Sequence, residues 1–122
     1  MSVAAKTILI VDDDPDIVLV LRAMLEDAGY VAVATDTAGD LMGMLKRKTP
    51  DLILLDMLLS GHDGREIVAQ LKARPDTGHI PILMLSAHPT AEREARSAGA
   101  DDFLAKPFEM DVLLAKVARH LA

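Results

Sequence analysis

Residues 52–59 read Leu52-Ile53-Leu54-Leu55-Asp56-Met57-Leu58-Leu59. Seven of the eight side chains are apolar, which is typical of a strand buried on both faces of a parallel sheet. Asp56 is the exception, and a carboxylate is costly to bury unless it is paired, bound to a metal, or placed at the end of the strand. Ligands bind at the C-terminal strand ends of open α/β sheets. We therefore interpret Asp56 as a working residue of the protein.

The sequence on both sides of this stretch alternates short apolar strands with amphipathic helices. Besides the Asp56 strand, strands are predicted at residues 7–11, 30–34, 80–86 and 102–104, and helices at about 15–28, 37–48, 65–73, 90–98 and 109–121. Residues 60–64 are predicted to form a loop because they are polar and contain two glycines. Five strand–helix units with short connections predict a doubly wound α/β fold, with helices on both faces of a parallel sheet.

Length, charge and composition exclude several classes of function. A chain of 122 residues is predicted to form one domain over residues 1–122, without an output domain. The net charge of -6 and the aromatic content of 2% argue against direct binding of nucleic acid. There is no cysteine for a thiolate metal site, and no apolar run approaches the ~18 residues of a membrane span. These features favour a cytoplasmic location and no membrane contact.

The predicted sheet brings polar side chains from separate strand ends to one rim, namely Asp12, Asp13, Asp56, Ser86 and Lys106. Adjacent carboxylates raise one another's pKa unless a cation intervenes. Asp13 and Asp56 offer the hard oxygen ligands that Mg²⁺ prefers. A metal-bound carboxylate suits nucleophilic attack on phosphorus, with Lys106 and Ser86 stabilising the phosphoryl oxygens. Two alternatives remain open: Lys106 is an ordinary surface lysine, or Ser86 is satisfied by its own backbone.

Four stretches of this chain resemble the receiver domain of two-component response regulators. They span essentially the whole chain in the family's order: Ile8-Leu9-Ile10-Val11-Asp12-Asp13-Asp14-Pro15, Pro50-Asp51-Leu52-Ile53-Leu54-Leu55-Asp56-Met57, Pro81-Ile82-Leu83-Met84-Leu85-Ser86-Ala87 and Gly99-Ala100-Asp101-Asp102-Phe103-Leu104-Ala105-Lys106-Pro107-Phe108. The resemblance implies a flavodoxin-like, CheY-like (βα)5 fold with five parallel strands in the order 2-1-3-4-5.

The resemblance also assigns roles at the rim. Asp56 would accept a phosphoryl group from a sensor histidine kinase or a phosphotransfer protein, and form an aspartyl phosphate. Asp13, Asp56 and the backbone carbonyl of Leu58 would hold Mg²⁺, with Asp12 acting through water. The chain is therefore expected to be a signalling receiver whose phosphoryl chemistry is directed at itself, and not an enzyme.

The family's switch residues have counterparts here. Ser86 would move toward the phosphoryl group, Lys106 would pair with it, and the peptide bond between Lys106 and Pro107 would be cis. Phe103 matches the switching aromatic, although an ordinary core phenylalanine is the alternative reading. Its movement would repack the face built from the fourth helix, fifth strand and fifth helix, which would contact a downstream target or output domain. Mixed charges near that face would either permit a homodimer through ion pairs or form a plain solvated surface, since isolated exposed pairs contribute little: Arg93, Arg96, Asp101, Asp102 and Lys116.

Three positions depart from the family or vary within it. Ser60 stands where proline is common, which predicts a looser loop after Asp56. Leu58 and His88 lie two residues beyond Asp56 and Ser86, where the family varies residues that tune phosphoryl lifetime. An apolar Leu58 cannot orient a water, whereas His88 either orients one or is a solvent-facing loop residue.

Two other functions fit the same fold class. A small Mg²⁺-dependent phosphohydrolase would use Asp56 as its nucleophile, but it would need a general acid and a substrate lid that the sequence does not offer. A flavodoxin-like electron carrier would need backbone amides and hydroxyls after the first strand to bind phosphate, where Asp12, Asp13 and Asp14 would repel it. A phosphorylation-controlled signalling switch is therefore the favoured function.

Overall fold

The computed structural model describes residues 5–59 and 61–121. Seven strands are present in this part of the chain: β1 Thr7–Val11, β2 Val31–Thr35, β3 Leu52–Asp56, β4 Leu58–Leu59, β5 His62–Asp63, β6 Ile82–Ser86 and β7 Asp102–Ala105. Five of them form one parallel sheet in the order β2-β1-β3-β6-β7. Without the two short strands this order is 2-1-3-4-5, which confirms the predicted topology.

The described residues form five α-helices, of which the first four lie between strands and α5 follows β7: α1 Pro15–Asp27, α2 Ala38–Arg47, α3 Gly64–Ala73, α4 Glu92–Ala98 and α5 Met110–Leu121. Asp14 caps α1 by accepting hydrogen bonds from the N–H groups of Asp16 and Ile17, as helix N-caps commonly do. Thr37 caps α2 by accepting from the N–H of Asp40. No helix in the described ranges is long and apolar enough to cross a bilayer.

Three local predictions need correction. Residues 60–64 are not all loop, because His62–Asp63 pairs antiparallel with Leu58–Leu59 as a small hairpin. The fourth helix does not begin as α-helix at residue 90, since residues 89–91 form a 3₁₀ turn before α4. Strand β6 begins at Ile82 because the N–H of Ile80 bonds the carbonyl of Thr77 instead of entering the sheet. Ser60, with its predicted looser loop, lies outside the described residues.

Alternating side chains of the central strands fill two cores, one on each face of the sheet. One core joins the strands to α2, α3 and α4, and its members from the parallel sheet are Leu9, Val11, Ile53, Leu55, Ile82, Met84 and Phe103. The other joins them to α1 and α5, and its strand members include Ile8, Ile10, Leu52, Leu54, Leu83, Leu85 and Leu104. Burial on both faces explains the continuous apolar runs in the sequence, and it holds the strand ends rigidly at the rim.

Candidate functional site

The C-terminal ends of four strands bring the predicted rim residues together. Asp56 is the last residue of β3, and Ser86 is the last residue of β6. Asp12 and Asp13 follow β1, and Lys106 follows β7 directly. Because β1, β3, β6 and β7 are consecutive neighbours in the sheet, their ends meet around Asp56, which belongs to the second of them.

Three carboxylates form an acidic cluster at this rim. One oxygen from each of Asp12, Asp13 and Asp56 lies within 4.8 Å of the others. Asp12 is 1% exposed and Asp56 is 9% exposed, so both charges lie in a largely desolvated site. The N–H of Asp14 donates to Asp12 Oδ1 over 2.9 Å, which fixes the orientation of that carboxylate. Three hard oxygen donors at this spacing match the ligand chemistry of a divalent cation such as Mg²⁺.

Lys106 bridges two of these carboxylates. Its Nζ lies 3.0 Å from Asp12 Oδ2 and 3.1 Å from Asp56 Oδ1. Burial alone would lower the pKa of Lys106, but hydrogen bonds and charge from Asp12 and Asp56 raise it above its usual value. Three carboxylates and one ammonium group leave about two net negative charges in the site. That surplus is the charge a divalent cation would neutralise.

The Asp56 carboxylate is held in an unfavourable environment. Burial raises its pKa first, and repulsion from Asp12 raises it further, whereas the charge and hydrogen bond of Lys106 lower it. The net result is a pKa above the usual value for aspartate. A carboxylate whose negative charge is poorly compensated gains when a cation binds beside it, or when a covalent bond to an electrophile removes part of that charge.

Ser86 is buried beside the acidic cluster, at 3% exposure. Its Oγ accepts a hydrogen bond of 3.0 Å from the N–H of His88, so backbone satisfaction of Ser86, one of the alternatives for this residue, occurs in this structure. A hydroxyl that accepts one bond can still donate its proton elsewhere. The carbonyl of Ser86 also accepts from the N–H of Lys106 over 2.7 Å, and the Lys106–Pro107 peptide bond is cis.

The remaining predicted residues surround this centre at different depths. Phe103 is buried at 6% exposure, in the same core as Ala91 and Ala95. Leu58 is 62% exposed, and it shares a shallow surface pocket with His88, which is also exposed. The structure therefore brings the two predicted lifetime residues to one pocket, which Met57, the residue after Asp56, also lines.

Two features escaped prediction from the sequence. Gly64 packs so closely on the site strand that a Cβ there would lie 2.6 Å from the carbonyl oxygen of Asp56. Asp102, which we expected among surface charges available for ion pairs with a second copy, is fully buried. It accepts hydrogen bonds from side chains of α4 and α5 within the same chain. An Asp-Gly pair after the site strand was a usable signal for the first feature, whereas no local pattern marks the second.

Comparisons with known proteins agree with this architecture. The family model described as the response regulator receiver domain matches residues 8–118. The phosphate regulon transcriptional regulatory protein PhoB of Pseudomonas aeruginosa is 38% identical over 114 residues, which are 92% of this chain and 50% of that protein. The chain thus spans about half the length of the PhoB relatives that it matches.

Solved structures share both fold and sequence with the chain. The chemotaxis response regulator CheY4 of Vibrio cholerae superimposes with a TM-score of 0.88 at 28% identity, over 97% of this chain and all of that one (100%). The receiver domain of a sensor histidine kinase from Pseudomonas aeruginosa, solved with a magnesium ion in its active-site cleft, gives 0.86 at 30% identity over 97% of this chain and 98% of that one. The chain therefore belongs to the receiver domain family of two-component response regulators.

Proposed function

We propose that this chain is a phosphorylation-controlled switch in which Asp56 accepts a phosphoryl group from the phosphohistidine of a sensor histidine kinase or phosphotransfer protein. The observation that carries the proposal is the environment of Asp56. Its carboxylate ends a buried strand, lies in a cluster with Asp12 and Asp13, and contacts Lys106 Nζ over 3.1 Å. This arrangement presents a nucleophile to the rim with positive charge already beside it.

In the proposed transfer, an Asp56 oxygen forms a bond to phosphorus as the bond from phosphorus to the histidine nitrogen breaks. Lys106 Nζ already contacts Asp56, so it would be close enough to stabilise the negative charge that develops on the phosphoryl oxygens. Asp13, Asp56 and the backbone carbonyl of Leu58 would hold Mg²⁺, with Asp12 acting through water. When bound, that ion would neutralise phosphoryl oxygens during in-line displacement.

The proposed switch begins at Ser86. A phosphoryl oxygen on Asp56 would accept a hydrogen bond from the Ser86 hydroxyl, and the movement of Ser86 toward it would draw the Ser86 oxygen away from the N–H of His88, which now donates to it. Loss of that bond would release the loop that leads into the 3₁₀ turn and α4. Phe103 packs in the core that contains Ala91 and Ala95, so a shift of this segment would alter the packing of its ring. The face formed by α4, β7 and α5 would exist in two packings, and phosphorylation of Asp56 would shift the equilibrium from one packing to the other.

Asp56→Asn is the experiment that tests this proposal. With Mg²⁺ and acetyl phosphate, the wild-type protein is expected to gain the mass of one phosphoryl group, and with beryllofluoride its amide NMR spectrum is expected to change. Both responses should require Mg²⁺ and should be lost in Asp56→Asn. Asp36→Asn, which alters an exposed aspartate after β2, should respond like the wild type. Phosphorylation that persists in Asp56→Asn would show that another residue is the acceptor.

Leu58 and His88 are proposed to set the lifetime of the phosphoryl group. Both line one surface pocket with Met57, the residue that follows Asp56, and water is proposed to approach the phosphoryl group from this side. Leu58→Asn would place a polar group there that can orient a water, and we expect it to speed hydrolysis severalfold, which is less than the factor of about 10²–10⁴ that a well-positioned general acid or base contributes. His88→Ala should slow hydrolysis if the imidazole positions that water. The rates follow from decay of the phosphorylated mass, and equal decay in both variants and the wild type would contradict the idea.

The same proposal covers the expected partners and location. Its phosphoryl chemistry is directed at the chain itself, so we propose a signalling receiver and not a phosphohydrolase that acts on a separate substrate. The output would pass to a downstream target or output domain through the α4–β7–α5 face, without direct contact to nucleic acid. A cytoplasmic location, where sensor kinases would present their phosphohistidine, remains part of the proposal.

A further inference from the structure

Asp102 is a buried charge outside the rim site. It is the first residue of β7, and its side chain is 0% exposed. Its Oδ1 accepts from Arg96 over 3.2 Å and from Lys116 over 3.1 Å, and its Oδ2 lies 2.9 Å from His120 Nε2. Arg119 also donates to Oδ2. One carboxylate therefore receives side chains from two helices, and we call this group of five residues the Asp102 cluster.

The cluster holds its carboxylate in the charged form. Burial raises the pKa of Asp102, but hydrogen bonds from His120, the Phe103 backbone, Lys116 and Arg119 outweigh burial and hold that pKa far below its usual value. An aspartate with a lowered pKa stabilises the folded state above its unfolded pKa, and that stabilisation is lost only as pH falls through the folded pKa. The Asp102 carboxylate is therefore charged at neutral pH and under mildly acidic conditions.

The cluster ties α4 to α5 through β7. Arg96 lies in the last turn of α4, where it also pairs with Glu92 over 2.8 Å. Lys116 lies on α5 with Arg119 and His120, three and four residues further along, so all three share one side of that helix. Within the described residues, Arg96 is the side chain through which α4 reaches Asp102. Displacement of α4 relative to α5 must therefore stretch or break the bond between Arg96 and Asp102.

The same carboxylate also holds the backbone beside the predicted switch residue. The N–H of Phe103 donates to Asp102 Oδ1 over 2.8 Å. Because successive side chains of a strand point to opposite faces, the Phe103 ring enters the core on the α4 side of the sheet while Asp102 stays with the cations. A single buried group thus fixes the start of β7, the end of α4 and the last two turns of α5.

We propose that Asp102 is a positioning residue for the switch, which holds α4 and α5 in the packing seen here and so opposes their rearrangement when Asp56 is modified. This inference rests on the proposed function, and it adds a residue remote from the rim that sets how readily the face responds. Arg96 and Lys116 pair with Asp102 within their own chain, so fewer charges of this face remain for ion pairs with a second copy.

Arg96→Ala is the first test, because it removes the α4 arm and leaves Asp102 with its α5 partners. Occupancy of Asp56 by beryllofluoride is followed by ¹⁹F NMR, and the response of the face by the amide signals of residues 103–105. In Arg96→Ala we expect the beryllofluoride concentration that gives half of the face response to fall by about fivefold or more, which corresponds to a modest coupling energy. Arg93→Ala, which removes an exposed arginine of the same helix, should leave it unchanged.

Amide hydrogen exchange provides a second measurement that needs no phosphoryl analogue. Arg96→Ala and Asp102→Asn should accelerate exchange in α4 about tenfold relative to α2, because the tie to α5 is cut. A variant that is less stable overall, with equal acceleration in both helices and an unchanged face response, would overturn the role of Asp102. No beryllofluoride binding in the wild type would instead overturn the proposed function together with the switch role, while the exchange result would still decide whether Asp102 ties α4 to α5.

Discussion

Lys106→Ala is expected to destabilise the protein by about 3 kcal/mol without Mg²⁺, the lower end of what is seen when one partner of a buried ion pair is removed. The Lys106 side chain is 15% exposed, and its partners Asp12 and Asp56 are 1% and 12% exposed. Truncation would leave two poorly hydrated carboxylates, with Asp13 nearby and no ammonium group between them. Urea unfolding monitored by circular dichroism measures the loss.

Mg²⁺ should reverse part of that loss. A ligand that binds only the folded state stabilises it in proportion to its affinity and concentration, and the variant has more uncompensated negative charge to neutralise than the wild type. The gain in unfolding free energy on adding Mg²⁺ is therefore expected to be larger in Lys106→Ala. Lys46→Ala, at an exposed position of α2, should change stability by no more than about 0.5 kcal/mol. Equal losses in the two variants would show that the Lys106 bridge is not maintained in solution.

The fold could be predicted because its signals are local, carried by residues that are close together in the sequence. Apolar runs such as 52–55 need burial on both faces, which only a covered parallel sheet supplies. Once a parallel sheet was predicted, the C-terminal ends of its strands had to lie at one rim, where ligands bind in this fold class. The convergence of Asp12, Asp56 and Lys106, separated by up to 94 residues in the chain, could therefore be anticipated before any distance was known.

The parts that could not be predicted depend on tertiary context. Asp101 and Asp102 are adjacent and chemically identical, yet the side chain of the first is 38% exposed and pairs with Lys72, whereas that of the second is fully buried. Which aspartate is buried depends on which residues of β7 pair with β6, and on cationic side chains of α5 that lie 14 to 18 residues further along the chain. The 3₁₀ turn at residues 89–91 is a smaller difference, since such turns are common at the N-termini of α-helices.

Gly64→Ala is expected to destabilise the protein by about 3 kcal/mol, the upper end for an extra methyl group in a tightly packed place. The added Cβ would lie 2.6 Å from the Asp56 carbonyl oxygen and 2.9 Å from both the Cα and the carbonyl oxygen of Met57. These are backbone atoms of the site strand and the residue after it, so they cannot rotate away as a side chain would. The N–H of Gly64 also donates to the Met57 carbonyl over 2.7 Å, which holds α3 against the strand at this point.

The displaced backbone carries Asp56 itself, so this change should also weaken the response to Mg²⁺ and beryllofluoride, although residue 64 provides no side chain to the site. Gly43→Ala is the matched control. Its Cβ would meet nothing within 4 Å in the interior of α2, and the higher helix propensity of alanine should stabilise the protein by up to about 1 kcal/mol. The two substitutions thus add the same methyl group with opposite expected signs, measured by urea unfolding and by ¹⁹F NMR of bound beryllofluoride. A Gly64→Ala protein with wild-type stability and beryllofluoride binding would mean that α3 does not pack this closely on the Asp56 strand.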